Sequence, residues 1–305
     1  MGKEVSSQEH AGAQSPHLDS AERDQAADHS TPRALVIHEI IREEGEIALQ
    51  RSVGTLAWSA LAAGLSMGFS FLTQAVLQAS LPETPWRHLV SGFGYCTGFV
   101  IVILGRQQLF TESTLTALLP VLTRPSWETF LLAMRLWAIV LLANIIGTFG
   151  FAALLTVPGV FDAAVMQAFA ELSLQPAYRD FVPTLMRALF AGWLIALMVW
   201  LLPNARSGRL LTVVLITYVV AVCQLSHIIA GSVEGAYSVL IAHTSAADYL
   251  LRFMAPTLLG NVIGGVSLVG LLNHAAVASE IAEPIKFEQN VAKGGRSRRK
   301  ATHDV

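Results

Sequence analysis

Nearly uncharged, apolar stretches run from Val53 to Leu77, from Leu89 to Gly105, from Phe130 to Leu155, from Met186 to Leu202 and from Phe253 to Leu272. A further one starts near Leu210 and continues, past a polar patch, to about Ala242. Several reach or approach the ~20 residues that a helix needs to cross the hydrocarbon core of a bilayer. The pattern predicts an all-α membrane protein with six transmembrane helices. Two of them are interrupted. The second breaks at Arg106-Gln107-Gln108-Leu109-Phe110-Thr111-Glu112 and resumes to about Leu122, and the fifth breaks at Gln224-Leu225-Ser226-His227. Pro158 to Val182 reads as a mixed loop.

Upstream, Leu35, Ile37, Ile40, Ile41 and Ile47 fall near one helical face, with Glu39, Glu43, Glu44, Glu46 and Arg51 elsewhere. This predicts an amphipathic helix over 34–51. Residues 1–33 are too polar to offset their ordering entropy and read as a disordered cytoplasmic segment. Residues 52–275 are expected to form the six-span domain and 276–305 a basic cytoplasmic tail. Arg42, Arg51, Arg124, Arg206, Arg209 and the tail cations fall on one side of a six-span arrangement, against Arg87, Arg179 and Arg252 on the other. That excess of Lys and Arg puts both termini in the cytoplasm.

Composition narrows the function. With 53% hydrophobic and 14% charged residues, the chain departs from the soluble globular pattern of about a quarter charged. A net charge of -2 with no basic patch in the apolar body gives no reason to expect nucleic acid. Cys96 and Cys223 make neither a disulfide framework nor a metal site. The polar segments hold no phosphate loop, metal spacing or nucleophile triad, so neither an enzyme nor a cofactor is expected.

An internal repeat sharpens this reading. Leu141-Leu142-Ala143-Asn144-Ile145-Ile146-Gly147 and Leu258-Leu259-Gly260-Asn261-Val262-Ile263-Gly264 share the form Leu-Leu-small-Asn-apolar-Ile-Gly. Each lies in the last span of a three-span set and follows the break of that set at nearly equal distance. Three spans facing one way and three the other make an inverted 3+3 repeat with discontinuous helices in matching positions, which points to a substrate site near the bilayer midplane. Leu109 and Phe110 suit a constriction, and Thr111 offers a hydroxyl. His227, alone at the centre of a span, is either an interhelical hydrogen-bonder or a group that exchanges a proton near neutral pH. Arg106, Glu112 and Glu234 are candidate pore charges: they either pair structurally or alter what the pore passes, and both readings stand. Asn144 and Asn261 suit bonds to exposed loop backbone, with Gly147 and Gly264 permitting close approach. Arg135 is expected to snorkel to the membrane surface.

Gly105-Arg106-Gln107-Gln108-Leu109-Phe110-Thr111 resembles the Leu-Phe-Thr loop in the second span of the formate/nitrite transporter family, and Ser226-His227-Ile228-Ile229-Ala230 resembles its central-histidine break. The Asn-x-x-Gly elements at Asn144 and Asn261 fit the third and sixth spans, so the resemblance covers roughly 35–275. It implies an aquaporin-like six-helix protomer, a homopentamer with one pore per protomer in a bacterial inner membrane, and passage of small monovalent anions such as formate, nitrite or hydrosulfide, or their conjugate acids. It further implies that Leu109, Phe110 and Thr111 form an outer-side constriction and gating loop, with His227 the central proton-exchanging group. The chain departs from well-known members at Gln107-Gln108 (Ala-Asp there), at Ser226 (Glu there) and at Gly231 (Asn there), and Glu112 adds a negative charge. It looks closer to a less characterised inner-membrane branch with the Arg-Gln-Gln-Leu-Phe-Thr-Glu loop. A neutral-solute channel of similar architecture, or a membrane scaffold or sensor with a closed pore, are the alternatives.

Overall fold

The computed structural model describes residues 17–22, 25, 31–174 and 180–282. Most of the segment expected to be disordered, 1–33, and the basic tail beyond 282 lie outside the described residues. The packed body comprises residues 37–274, and the flanking segments up to Val36 and from Ala275 form a second unit.

Among the described residues the regular structure is helical throughout. An amphipathic helix α1 (Ala34–Gln50) leads into α2 (Val53–Ser80) and α3 (Arg87–Leu104). After five non-helical residues come the short α4 (Phe110–Thr116) and α5 (Leu118–Thr123), then α6 (Trp127–Leu155), α7 (Ala163–Leu174) and α8 (Phe181–Leu201). A second interruption separates α9 (Arg209–Val222) from α10 (Ile228–Leu240). The last helix, α11 (246–282), contains π-helical stretches at Tyr249–Met254 and Gly264–Leu271.

Five of these helices are long and apolar enough to cross a membrane: α2, α3, α6, α8 and Ala246–Ser279 of α11. At 1.5 Å per residue, the 14 residues of α9 and the 13 of α10 each fall short of a ~30 Å hydrocarbon core. The expected loop between Pro158 and Val182 needs correction, because α7 lies inside it. Val165, Ala168, Phe169 and Leu172 recur at helical spacing and are buried, and Asp162 Oδ1 accepts from Val165 N–H at 2.9 Å to start the helix. Phe169 packs on Phe71 and Tyr237, with ring centroids 5.1 and 5.4 Å apart.

Arg135 also departs from expectation. Its Nη2 donates to Leu49 O and Arg51 O, both at 2.8 Å. The last carbonyls of a helix lack intrahelical donors, so a guanidinium here completes the C-terminal end of α1 instead of reaching for headgroups.

Small residues set the helix spacing. A Cβ built on Gly147 of α6 would lie 2.7 Å from Leu61 O and 2.8 Å from Leu65 N of α2, and one on Gly264 would lie 2.8 Å from Trp193 N of α8. These contacts are with backbone, which cannot swing aside. Gly147→Val therefore forces α2 and α6 apart, and we expect a loss of roughly 1–3 kcal/mol or more. It would be read as a lowered unfolding temperature in detergent, whereas Gly54→Ala, where an added Cβ meets nothing within 4 Å, leaves packing unchanged.

Candidate transport site

Both interruptions begin with the same backbone device. At the end of α3, Arg106 N–H bonds Ile103 O at 3.2 Å and Gln107 N–H bonds Val102 O at 3.0 Å. At the end of α9, Gln224 N–H bonds Ala221 O at 3.0 Å and Leu225 N–H bonds Val220 O at 2.9 Å. This is a Schellman ending, and its left-handed position is taken by Arg106 (φ 54°) and Gln224 (φ 50°). Glycine usually occupies that position because a side chain there costs about 1–2 kcal/mol.

The chain then runs extended through Leu109 (φ -100°, ψ 134°) and His227 (φ -111°, ψ 127°), and a new helix starts at the next residue in each case. The two asparagines hold these segments by matching bonds. Asn144 Oδ1 accepts from Phe110 N–H at 2.9 Å, and its Nδ2 donates to Gln108 O at 3.0 Å and Ala60 O at 2.6 Å. Asn261 Oδ1 accepts from Ile228 N–H at 2.8 Å, and its Nδ2 donates to Ser226 O at 3.0 Å and Ala188 O at 2.8 Å. One side chain thus satisfies two backbone groups in each break, which lipid has no means to satisfy, and ties them to a carbonyl of a neighbouring continuous helix, α2 or α8.

The breaks meet at one buried contact. Thr111 Oγ1 and His227 Nε2 are 2.8 Å apart, although 116 positions separate them in the chain. Both residues are 1% exposed. His227 Nδ1 accepts from Ala230 N–H at 3.2 Å, capping α10. A nitrogen that accepts carries no proton, so the imidazole is the neutral tautomer with hydrogen on Nε2, and it donates to Thr111 Oγ1. Phe99 meets the imidazole edge to face, with centroids 4.9 Å apart. Leu109 and Phe110 are buried beside this pair, and Phe110 packs against Trp137 at 6.2 Å. Leu109, Phe110, Thr111 and His227 therefore form one cluster.

A cavity opens on either side of it. One, of about 90 Å³, is lined by Gln74 and Gln78 near the C-terminal end of α2, by Tyr95, and by Gln224, Ser226, His227 and Glu234. The other, of about 180 Å³, is lined by Glu44 and Arg51, next to the start of α2, and by Arg106, Gln107, Gln108 and Glu112. Because α2 is 28 residues long, about 42 Å at 1.5 Å per residue, the cavities lie towards opposite ends of the body. The candidate charges divide between them: Arg106 and Glu112 face one, Glu234 the other. Arg106 pairs with Glu44 at 3.0 Å, so its ion-pair partner comes from α1 and not from Glu112. Arg51 Nη1 donates to Gln108 Oε1 at 3.2 Å.

Sequence reasoning did not single out Glu44 or Arg51 as lining a cavity. On an amphipathic helix they look like any solvated charges, and Glu44 meets Arg106 only across 62 positions. Among the described residues, no group of three His, Cys, Asp or Glu side chains is placed to hold a metal ion.

A sequence model of the formate/nitrite transporter family matches residues 35–275. Inner membrane protein YfdC of Escherichia coli K12 is 39% identical over 261 residues, covering 86% of this chain and 84% of its own length. Formate channel FocB of the same strain is 24% identical over 253 residues, covering 74% of this chain and 88% of its own. A solved structure described as a pentameric formate channel with formate bound shares the fold, with a TM-score of 0.62 at 19% identity over 74% of this chain and 98% of that one.

Proposed function

The chain belongs to the formate/nitrite transporter family, and we propose that it is a pore for small monovalent weak-acid anions, formate, nitrite or similar, whose passage is coupled to proton exchange at His227. The observation that carries this reading is the buried Thr111–His227 hydrogen bond between two polar-lined cavities. An anion entering a cavity meets the apolar plug of Leu109, Phe110 and Phe99, where burial disfavours its charged form. Proton transfer makes it neutral. The imidazole accepts a proton on Nδ1 as the ring releases Ala230 N–H, and the imidazolium then gives a proton to the anion, forming an acid O–H bond and restoring the neutral ring. The uncharged acid crosses the apolar slit.

In this reading α3 with α4–α5 and α9 with α10 each make one discontinuous crossing, giving six spans in an inverted 3+3 repeat. The matched asparagine bonds and the paired Schellman endings support that relation. Asn144, Gly147, Asn261 and Gly264 serve as its loop supports. Residues 52–275 make up the transport domain, with α1 at its cytoplasmic face and both termini inside. The cavity at the first break shares that face with α1, so the Leu109–Phe110 constriction adjoins the cytoplasmic side instead of the outer side. The pentameric formate channel with the same fold supports a homopentamer, and the related inner membrane protein supports a multi-pass inner-membrane location.

The test is uptake of formate and nitrite by proteoliposomes holding the wild-type pentamer. Above the acid's own pKa, the neutral fraction grows as pH falls, so uptake rises with acidification. Equal uptake across pH, or swelling with uncharged solutes in its place, would overturn the reading.

A further inference from the structure

Part of the wall of the smaller cavity is an aromatic ring seated on a glycine. Gly231 lies one turn after His227, whose carbonyl accepts from Gly231 N–H at 2.9 Å. Both residues line that cavity, together with Phe253 of α11. A Cβ built on Gly231 would lie 2.5 Å from Phe253 Cζ, so the ring fills the space that any larger residue at 231 would need. One turn further along α10, a Cβ on Gly235 would lie 2.6 Å from Tyr249 Cδ2. Two rings four positions apart thus dock on two glycines four positions apart. Both rings belong to the π-helical turn Tyr249–Met254, a geometry that recurs at functional sites.

Phe253 has little room to retreat. It is 3% exposed, and it stacks on Tyr249 with ring centroids 6.0 Å apart and planes 26° apart. Tyr249 is fixed in its turn. Its hydroxyl donates to Ser232 Oγ at 2.9 Å, and its ring meets Phe149 of α6 edge to face at 5.7 Å. Behind the Phe253 ring stands the backbone of α10, which cannot swing aside. Interiors packed this closely transmit strain instead of absorbing it. The cavity in front of the ring, about 90 Å³, is far below the ~300 Å³ at which ordinary ligand pockets begin. It suits a solute of very few atoms.

We propose that Phe253, seated on Gly231, is the size filter of the pore, passing formate and nitrite and turning back acetate and longer monocarboxylates. This rests on the weak-acid pore reading given above and narrows its substrate class. Formate and nitrite carry no carbon substituent, whereas the methyl group of acetate must press on the ring as the carboxyl group approaches His227. One extra methylene against an apolar wall is worth about 10–200-fold in discrimination. Proton exchange alone would select the other way. Acetic acid is weaker than formic acid, so acetate takes up a proton more readily. Exclusion of acetate therefore reports the wall and not the histidine.

The test compares initial uptake of labelled formate and acetate by proteoliposomes at one pH, each above the uptake of protein-free liposomes. The wild type should favour formate by about 10–200-fold. Phe253→Ala should shrink that ratio about tenfold or more, mainly by admitting acetate. Phe253→Leu, which keeps an apolar side chain in the core, should shrink it less, and it supplies the readout if the alanine variant does not assemble. Gly231→Ala pushes the ring into the cavity and should slow formate uptake about tenfold. Adding Phe253→Ala to Gly231→Ala makes room for the new methyl group and should restore formate uptake, a coupling expected only of residues in contact. If the wild type carries acetate as fast as formate, or an assembled Phe253→Ala or Phe253→Leu pentamer keeps the wild-type ratio, the filter is overturned while the pore reading stands. If the wild type carries neither anion, the pore reading fails and the filter falls with it.

Discussion

Asn144→Ala and Asn261→Ala are each expected to destabilise the protein by roughly 3 kcal/mol or more, and by similar amounts. Each truncation removes one acceptor and two donor bonds at a helix break: Phe110 N–H, Gln108 O and Ala60 O in one case, Ile228 N–H, Ser226 O and Ala188 O in the other. Both asparagines are 0% exposed, so no bulk solvent replaces the lost partners, and a buried group left unsatisfied costs about 1–3 kcal/mol. Interhelical hydrogen bonds in membrane proteins are often worth less, near 0.6 kcal/mol, because the unfolded chain in the bilayer finds other partners. That reasoning applies to polar side chains on continuous helices. Here two of the three lost partners in each variant are backbone groups at the break itself, where no intrahelical bond replaces them, so the larger figure governs. Thermal unfolding in detergent checks this. Loss of less than about 1 kcal/mol in either variant would mean that the breaks are held by packing alone, and a large difference between the two would argue against an equivalent role in each half.

How far these bonds were legible in the sequence differs from residue to residue. Both breaks stand out because Gln107-Gln108 and Gln224 interrupt apolar runs, and both asparagines stand out because the heptapeptides around them repeat. The atoms they bond did not follow from either signal, since Ala60 and Ala188 are unremarkable alanines 84 and 73 positions away from Asn144 and Asn261. The left-handed residues were also hidden. In the first break the positive φ falls on Arg106, one position after Gly105. Helix α7 escaped for a related reason. Its 12 residues are too few to read as a span, and the surrounding prolines and acids made the segment look like loop. Arg135 was placed by the general behaviour of long cations near membrane edges, whereas the nearby C-terminal end of α1, visible only in three dimensions, offered it two carbonyls. Local chemistry was readable wherever it broke a periodic pattern. Partners brought together by folding were not.

The contact between Thr111 and His227 belongs to that second class, and its removal should have the largest effect on transport. His227→Ala deletes the imidazole that reaches Thr111 at the plug, and we expect pH-dependent formate flux to collapse by a factor of about 10² or more, the usual scale for losing a positioned proton-transfer group. Thr111→Val and Thr111→Ser separate the hydroxyl from the bulk. Valine keeps the shape of threonine but leaves His227 Nε2–H without its acceptor at 2.8 Å, so the ring is freed to turn and flux falls about tenfold, in line with the 1–3 kcal/mol carried by a buried unsatisfied donor. Serine retains the oxygen and should transport within about twofold of the wild type, since a missing methyl disturbs packing by only about 1 kcal/mol or less. The order serine, valine, then His227→Ala is the decisive readout, measured as initial formate uptake at several pH values with pentamer integrity checked by size-exclusion chromatography. A valine variant that transports as well as serine would reduce Thr111 to a packing residue. Intact pH dependence in His227→Ala would move proton exchange away from the contact with Thr111 at the centre of the pore.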